Sequence, residues 1–281
     1  MKQETGDGSG AYQAGRDIVI DNRSGLGYSD VKALCLDLIH ANFPKLQEEA
    51  MSQVNQRIIE FSEQLKSQID EKGTAADSSR LARPDVQAAL NDALQGAAKK
   101  GTTNDYPTLA RLVAARLDRG NNELLDIVIE EAIRVTPKLT QEHIKYLTIH
   151  HFIGAVKTKV PNVSLEMLES MTKPIHERFC SGCKLSYANV NYLAGVGVIS
   201  LKSIRSGDSY ENYLKVYPWL ASNMDDFKEK LKREAPCIHD LLEVCNDEKY
   251  VSTRLTSTGQ AIALTNISMF FPGIDLKIWI S

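Results

Sequence analysis

Cys180-Ser181-Gly182-Cys183 has the spacing at which two thiolates hold one metal ion, and Cys237-Ile238-His239 offers two further ligands. Together they would satisfy a tetrahedral zinc chemically. The two pairs stand far apart in the chain, however, and the second is not Cys-x-x-Cys. Cys237, His239 and Cys245 equally fit a helix in which cysteines serve as small core residues. A redox role for Cys180 and Cys183 would need a surrounding βαβ pattern, which is missing. The expectation is therefore no metal and no cofactor, with Cys180, Cys183, Cys237 and His239 as the residues to check.

His143, His150 and His151 share a segment with Glu142. A zinc-protease helix needs histidines four residues apart, and His143 and His150 are seven apart, so they read as structural. The sequence contains no Gly-x-x-x-x-Gly-Lys-Ser/Thr, no Gly-x-Gly-x-x-Gly and no Gly-x-Ser-x-Gly. No catalytic residue is assigned, and a non-enzyme is the better reading.

A third constellation is architectural. Tyr192-Leu193-Ala194-Gly195-Val196-Gly197-Val198-Ile199 reads as a helix end, a turn and a strand. Arg254-Leu255-Thr256-Ser257-Thr258-Gly259 reads as a strand running into a capped helix. Winged-helix domains show this pairing. Lys202, Arg205 and Arg254 fall near the expected wing, where a DNA reader gathers positive charge, but Asp208, Glu211, Asp247 and Glu248 are neighbours.

The elements that must position these residues are mostly helical. Residues 29–72 read as a helical hairpin or long helix: Ser29 caps a first helix, and Pro44 opens a longer one through Lys72. The longer one's apolar stripe includes Phe43, Leu46, Val54, Ile58, Phe61 and Leu65. That stripe either packs on its own domain or meets another subunit as in a coiled coil. Gly73 to Ser79 is a linker. Residues 83–152 form a helical domain, with helices over 84–100, 107–118 and 121–135 and one capped by Thr140. Residues 153–281 form a winged-helix-like α+β region, with strands over 198–201 and 250–255 and a closing strand over 274–280, where apolar residues alternate.

Residues 1–28 differ, with six glycines and many small polar residues. Within them Ala11 to Asn22 reads as two short extended pieces joined at Gly15, with Ile18 and Ile20 on one side and Val19 on the other. An isolated hairpin is marginal in water, so this segment is either a tail or a strand that pairs with copies of itself or a partner. Tyr12, Ile18, Val19 and Ile20, with the stripe above, are the candidate oligomerisation residues. The fold class is thus mainly α with a small β component: a helical bundle, a winged-helix-like C-terminal region and a short N-terminal β segment. At 281 residues, 43% apolar and 25% charged, with a formal charge of -3, the chain has a globular composition and no bulk attraction for nucleic acid or anionic lipid. No apolar run reaches membrane-spanning length, the first ten residues hold no apolar signal core, and five cysteines fit a reducing compartment, so a cytoplasmic protein is expected.

Gln13-Ala14-Gly15-Arg16-Asp17-Ile18 and Leu255-Thr256-x-x-Gly259 resemble segments of a family of uncharacterised bacterial proteins, and that likeness covers nearly the whole chain. More distantly, over about residues 83–265, the layout resembles the Abi-alpha abortive-infection proteins, which join a helical middle to a C-terminal region ending near an LTxxG element. Related AG-x-D-I segments precede effector modules in other bacterial defence proteins. The resemblance implies a self-assembling, non-enzymatic component of antiviral defence, a homo-oligomer answering a phage or host protein trigger. A winged-helix DNA-binding regulator and a Cys/His zinc protein or enzyme are the alternatives.

Overall fold

The computed structural model describes residues 28–42, 48–72, 78–100, 106–118, 122–181, 184–202, 207–274 and 276–279. The N-terminal segment with Tyr12, Ile18, Val19 and Ile20 lies outside them, as do Phe43, Leu46, Cys183 and Arg205.

The chain is mainly α-helical with one small antiparallel sheet among the described residues. The first block is α1 (Tyr28–Asn42), α2 (Glu48–Lys72), α3 (Pro84–Lys100), α4 (Tyr106–Arg116) and α5 (Glu123–Val135). Its central contact follows from the spacing in α2. Val54, Ile58, Phe61 and Leu65 recur at three- and four-residue intervals and lie on one face. All four are buried, with α2 packed on α1, α3 and α4 of the same chain. Of the two readings of the stripe, packing within its own chain accounts for these four: each contributes about 1.5–3 kcal/mol by burial. Arg57, on the flank of the stripe, donates from a guanidinium N–H to the Ala98 carbonyl at 2.7 Å, satisfying the end of α3.

The second block comprises α6 (Gln141–Ala155), α7 (Leu165–Ile175), α8 (Tyr187–Gly195), β1 (Ile199–Leu201), α9 (Ser209–Val216), α10 (Met224–Glu234), α11 (Pro236–Cys245), α12 (Glu248–Val251), β2 (Thr253–Leu255), α13 (Ser257–Ile267) and α14 (Leu276–Trp279). Thr140 caps α6: its hydroxyl accepts from the His143 N–H, and the Thr140 N–H donates to His143 Nδ1 at 3.2 Å. His143 thus takes the Glu/Gln role in a capping box, and its other nitrogen meets Asn189 at 3.2 Å. Pro174 near the end of α7 has no N–H to continue the ladder, and the backbone widens into a π turn over His176–Cys180.

α13 is buried on all sides from Ala261 to Ile267, with Thr265 and Asn266 hydrogen-bonded within the core. Such a helix needs neighbours all round. It finds α4 and α5 from the first block and α6 and β2 from the second. One buried core runs from Val31 to Ile267, across the boundaries near 72 and 152.

Two strand expectations are corrected. Only Thr253–Leu255 of the expected 250–255 strand is extended, because Asp247 caps the helical turn Glu248–Val251 with a bond from its carboxylate to the Lys249 N–H. Leu276–Trp279, inside the expected closing strand, is a helical turn. β1 and β2 pair with each other in register Ile199–Leu255, Ser200–Arg254 and Leu201–Thr253, and no third strand lies beside them among the described residues. Without a neighbour, an alternating segment has no ladder to join. Instead Lys277 makes an ion pair with Asp118 at 2.6 Å, while Ile274 and Leu276 pack half-buried on the core.

Candidate functional site

The two glycine-bearing motifs at the ribbon form one joint. Gly197 has φ of +81°, a conformation that favours glycine, and turns the end of α8 into β1. The Thr256 hydroxyl donates to the Gly197 carbonyl at 2.7 Å and accepts from the Gly259 N–H at 3.2 Å, while the Thr256 N–H donates to the Val198 carbonyl at 3.1 Å. Gly259 comes so close that a Cβ there would sit 2.0 Å from the Val198 carbonyl oxygen. The spacing Thr-x-x-Gly is thus a cap and a contact surface in four residues.

Behind this joint α6 carries two residues, Tyr146 and His150, that meet β2 and the turn before it. Tyr146 is fully buried; its hydroxyl lies 2.8 Å from the Lys249 carbonyl and 2.6 Å from Thr253 Oγ1. His150 stacks on Tyr250, with ring centroids 5.7 Å apart. Just beyond the end of α6, Lys157 donates to the Ile153 carbonyl at 2.6 Å and holds its ammonium 5.3 Å from the centre of the Tyr213 ring. With Lys202 at the end of β1 and residues of α9, His150 and Lys157 wall a cavity of about 400 Å³. Its described lining includes Lys157, Lys202 and His150 and no carboxylate.

The charges in this cavity are held at a cost. Burial lowers Lys157 to about 8, with Cys245 opposing the shift weakly. Lys202 is lowered by burial and then by repulsion from Arg254. Burial lowers His150 as well, helped by Lys202 and resisted by nearby backbone carbonyls of Thr253 and Tyr250, and its Nε2 is buried with no hydrogen-bond partner. A second cavity of about 420 Å³ lies beside α13, but its lining mixes Arg111 with Glu71 and Asp118, and Arg111 pairs with Glu71 at 3.6 Å. The cavity behind the ribbon, of one sign, is the stronger candidate.

His151, next along α6, is pushed down to about 4 by burial and then by His150. Above pH 6.5 it is neutral whether folded or unfolded and leaves stability unchanged. Between 6.5 and about 4 only the unfolded chain takes its proton, so stability falls as pH falls through this window. The full loss is about 3 kcal/mol. Denaturant melts at pH 7 and pH 4.5 should therefore show a smaller acid loss in His151→Gln than in the parent. Equal losses would mean that His151 is not buried neutral.

The structure brings three of the metal candidates to one region without arranging them as ligands. α11 packs against α7 and the π turn, setting Cys237 and Asp240 near Glu169, His176 and Cys180. Glu169 is already engaged: its carboxylate accepts from the Cys237 and Ile238 N–H groups at 2.9 and 3.1 Å, capping α11 where Ala235 has no side chain to do so. Burial and then Glu169 raise the Cys237 thiol to about 12, and burial and Asp240 raise Cys180, so both are neutral thiols at pH 7. His239 Nδ1 lies 3.5 Å from Asp240, and its ring meets the edge of Tyr210. Among the described residues no three His, Cys, Asp or Glu side chains converge as metal ligands.

A family model described as one of unknown function matches residues 25–224 and 206–280. The chain belongs to that family. The match begins at residue 25, so the Gln13–Ile18 segment lies outside it. No curated protein and no solved structure matches the chain. Within the family match lie the joint, the cavity and all helices that build them. Sequence reasoning placed Lys202 and Arg254 near the ribbon but missed Lys157 and took His150 as structural. Lys157 lies just past the end of α6 and carried no motif.

Proposed function

We propose that the chain is a non-enzymatic, self-assembling component of bacterial antiviral defence of the abortive-infection kind. Assembly falls to the strand-patterned segment 11–21. The resemblance of Gln13–Ile18 and of Leu255–Gly259 to segments of such proteins supports the defence reading. The observation that carries the choice of segment is the burial of Val54, Ile58, Phe61 and Leu65 within their own chain. It leaves the stripe on α2 little apolar surface for a second copy, whereas residues 11–21 combine strand-forming residues with backbone groups that need partners. Pairing between copies would close those hydrogen bonds, each worth about 0.5–1.5 kcal/mol net.

Two measurements test this. Size exclusion with light scattering should give an oligomer for the full chain and a smaller species without residues 1–27. A bacterium carrying the intact gene should lower phage plating, and one carrying the truncated gene should not. A monomeric full-length protein at micromolar concentration removes self-assembly. Full protection by the truncated gene removes the segment's role.

The ribbon gives the DNA-binding alternative one specific support, since Lys202 and Arg254 lie close enough to repel each other. Beside them, Asp247 pairs with Lys249 and Glu248 accepts from Tyr187, which dilutes the positive face. Gel shifts at two salt concentrations decide, because phosphate-driven binding weakens steeply with salt. None of the helices in the described residues is long and apolar enough to cross a membrane.

A further inference from the structure

We propose that the cavity behind the ribbon is a binding site for a small organic phosphate, held by Lys157, Lys202 and His150. Three observations meet there. The cavity, at about 400 Å³, has room for a ligand the size of a mononucleotide. Its described lining sets cationic and protonatable groups from three separate elements around one space, with no carboxylate among them. His150 lines the same space with its ring stacked on Tyr250, so an imidazole stands beside the two lysines.

The chemistry selects phosphate over carboxylate. Lysine ammonium groups are point charges that approach a tetrahedral anion from several directions, whereas a carboxylate is matched best by the planar fork of arginine. The described lining has lysines and no arginine. Ile153, Val216 and Tyr213 line the same cavity and offer apolar surface beside the cations, so the ligand carries an organic body as well as its charge. A bound anion would relieve what burial costs Lys157, and would raise His150 toward its protonated, donating form. This site is independent of the N-terminal segment and survives or fails apart from the assembly reading.

Titration calorimetry and thermal melts of the full chain test it, with inorganic phosphate, AMP and adenosine as probes. Phosphate and AMP should raise the melting temperature and adenosine should not. Tighter binding of AMP assigns the apolar surface to the ligand's body, and equal binding assigns free phosphate as the ligand. Lys157→Gln and Lys202→Gln should each weaken AMP or phosphate by at least about tenfold. The melting temperature of Lys157→Gln without probe should stay level or rise, since a costly buried charge has gone; Lys202→Gln, on the strand end, tests the site should Lys157→Gln fold poorly. No binding of either anion at millimolar concentration overturns the proposal, as does equal binding by parent and both variants.

Discussion

Gly259→Ala should destabilise the protein by about 3 kcal/mol. The added Cβ would stand 2.0 Å from the Val198 carbonyl oxygen and 3.0 Å from its carbon, and both are backbone atoms that cannot rotate away. Relief requires α13 to draw back from β1. That movement would stretch the Thr256 bonds to Gly197 and Val198, and would disturb Ala261 to Ile267, which are buried against both blocks. For a domain of this size the melting temperature should drop by roughly 6–12 °C. The control is Gly154→Ala, in α6, where the new Cβ meets nothing within 4 Å. It should be neutral or stabilise by up to about 1 kcal/mol through helix propensity. Similar melts for the two variants would show that the joint at Gly259 is looser than its geometry implies.

Asp126→Ala should cost about 3–5 kcal/mol, the range for breaking a buried ion pair from one side. Asp126 sits in the first turn of α5 with its side chain 16% exposed. Its Oδ2 lies 2.6 Å from an Arg116 nitrogen and 3.2 Å from one of Arg80. Arg116 is only 4% exposed and also meets Asp85 at 2.5 Å, while Arg80 further donates to the Asp118 carbonyl. Removing Asp126 leaves two guanidinium groups close together with too little negative charge, in a place where water cannot screen them. Replacing charge by apolar volume on both sides, as in Asp126→Leu with Arg116→Met, should recover part of the loss. Denaturant melts of the two single variants and the double variant measure the coupling. Strictly additive losses would mean that the pair does not act as a unit.

This network explains why some features could be read from the sequence and others could not. Thr140 and Thr256 announce helix starts because capping is local: a side chain satisfies an N–H three residues away. The stripe on α2 was legible for the same reason, since helical period alone puts Val54, Ile58, Phe61 and Leu65 on one face. What lies opposite that face is a matter of tertiary contact, and the chain covers it with α1, α3 and α4. Asp85, Arg116 and Asp126 read in sequence as ordinary surface charges. Only the approach of three helix ends joins them in one cluster around the buried Arg116.

The closing segment shows the limit from the other side. Ile274, Leu276, Ile278 and Ile280 alternate in the sequence as suits a strand, but a strand exists only where another offers its backbone, and β1 and β2 are paired to each other. Lys277 finds Asp118 instead, 159 positions away in the chain. The likeness of Leu255–Gly259 to a known motif was visible at once; that its threonine and glycine both rest on Gly197 and Val198 was not. The cavity belongs wholly to tertiary structure. Lys157, Lys202 and His150 share no spacing rule, and they meet because α6 ends beside the ribbon, where packing gathers three separate surface-type residues around one cavity. Local spacing determined the helices, their caps and the Thr-x-x-Gly entry, because each depends on atoms a few residues apart. Partners across the chain were decided by packing, which no local rule contains.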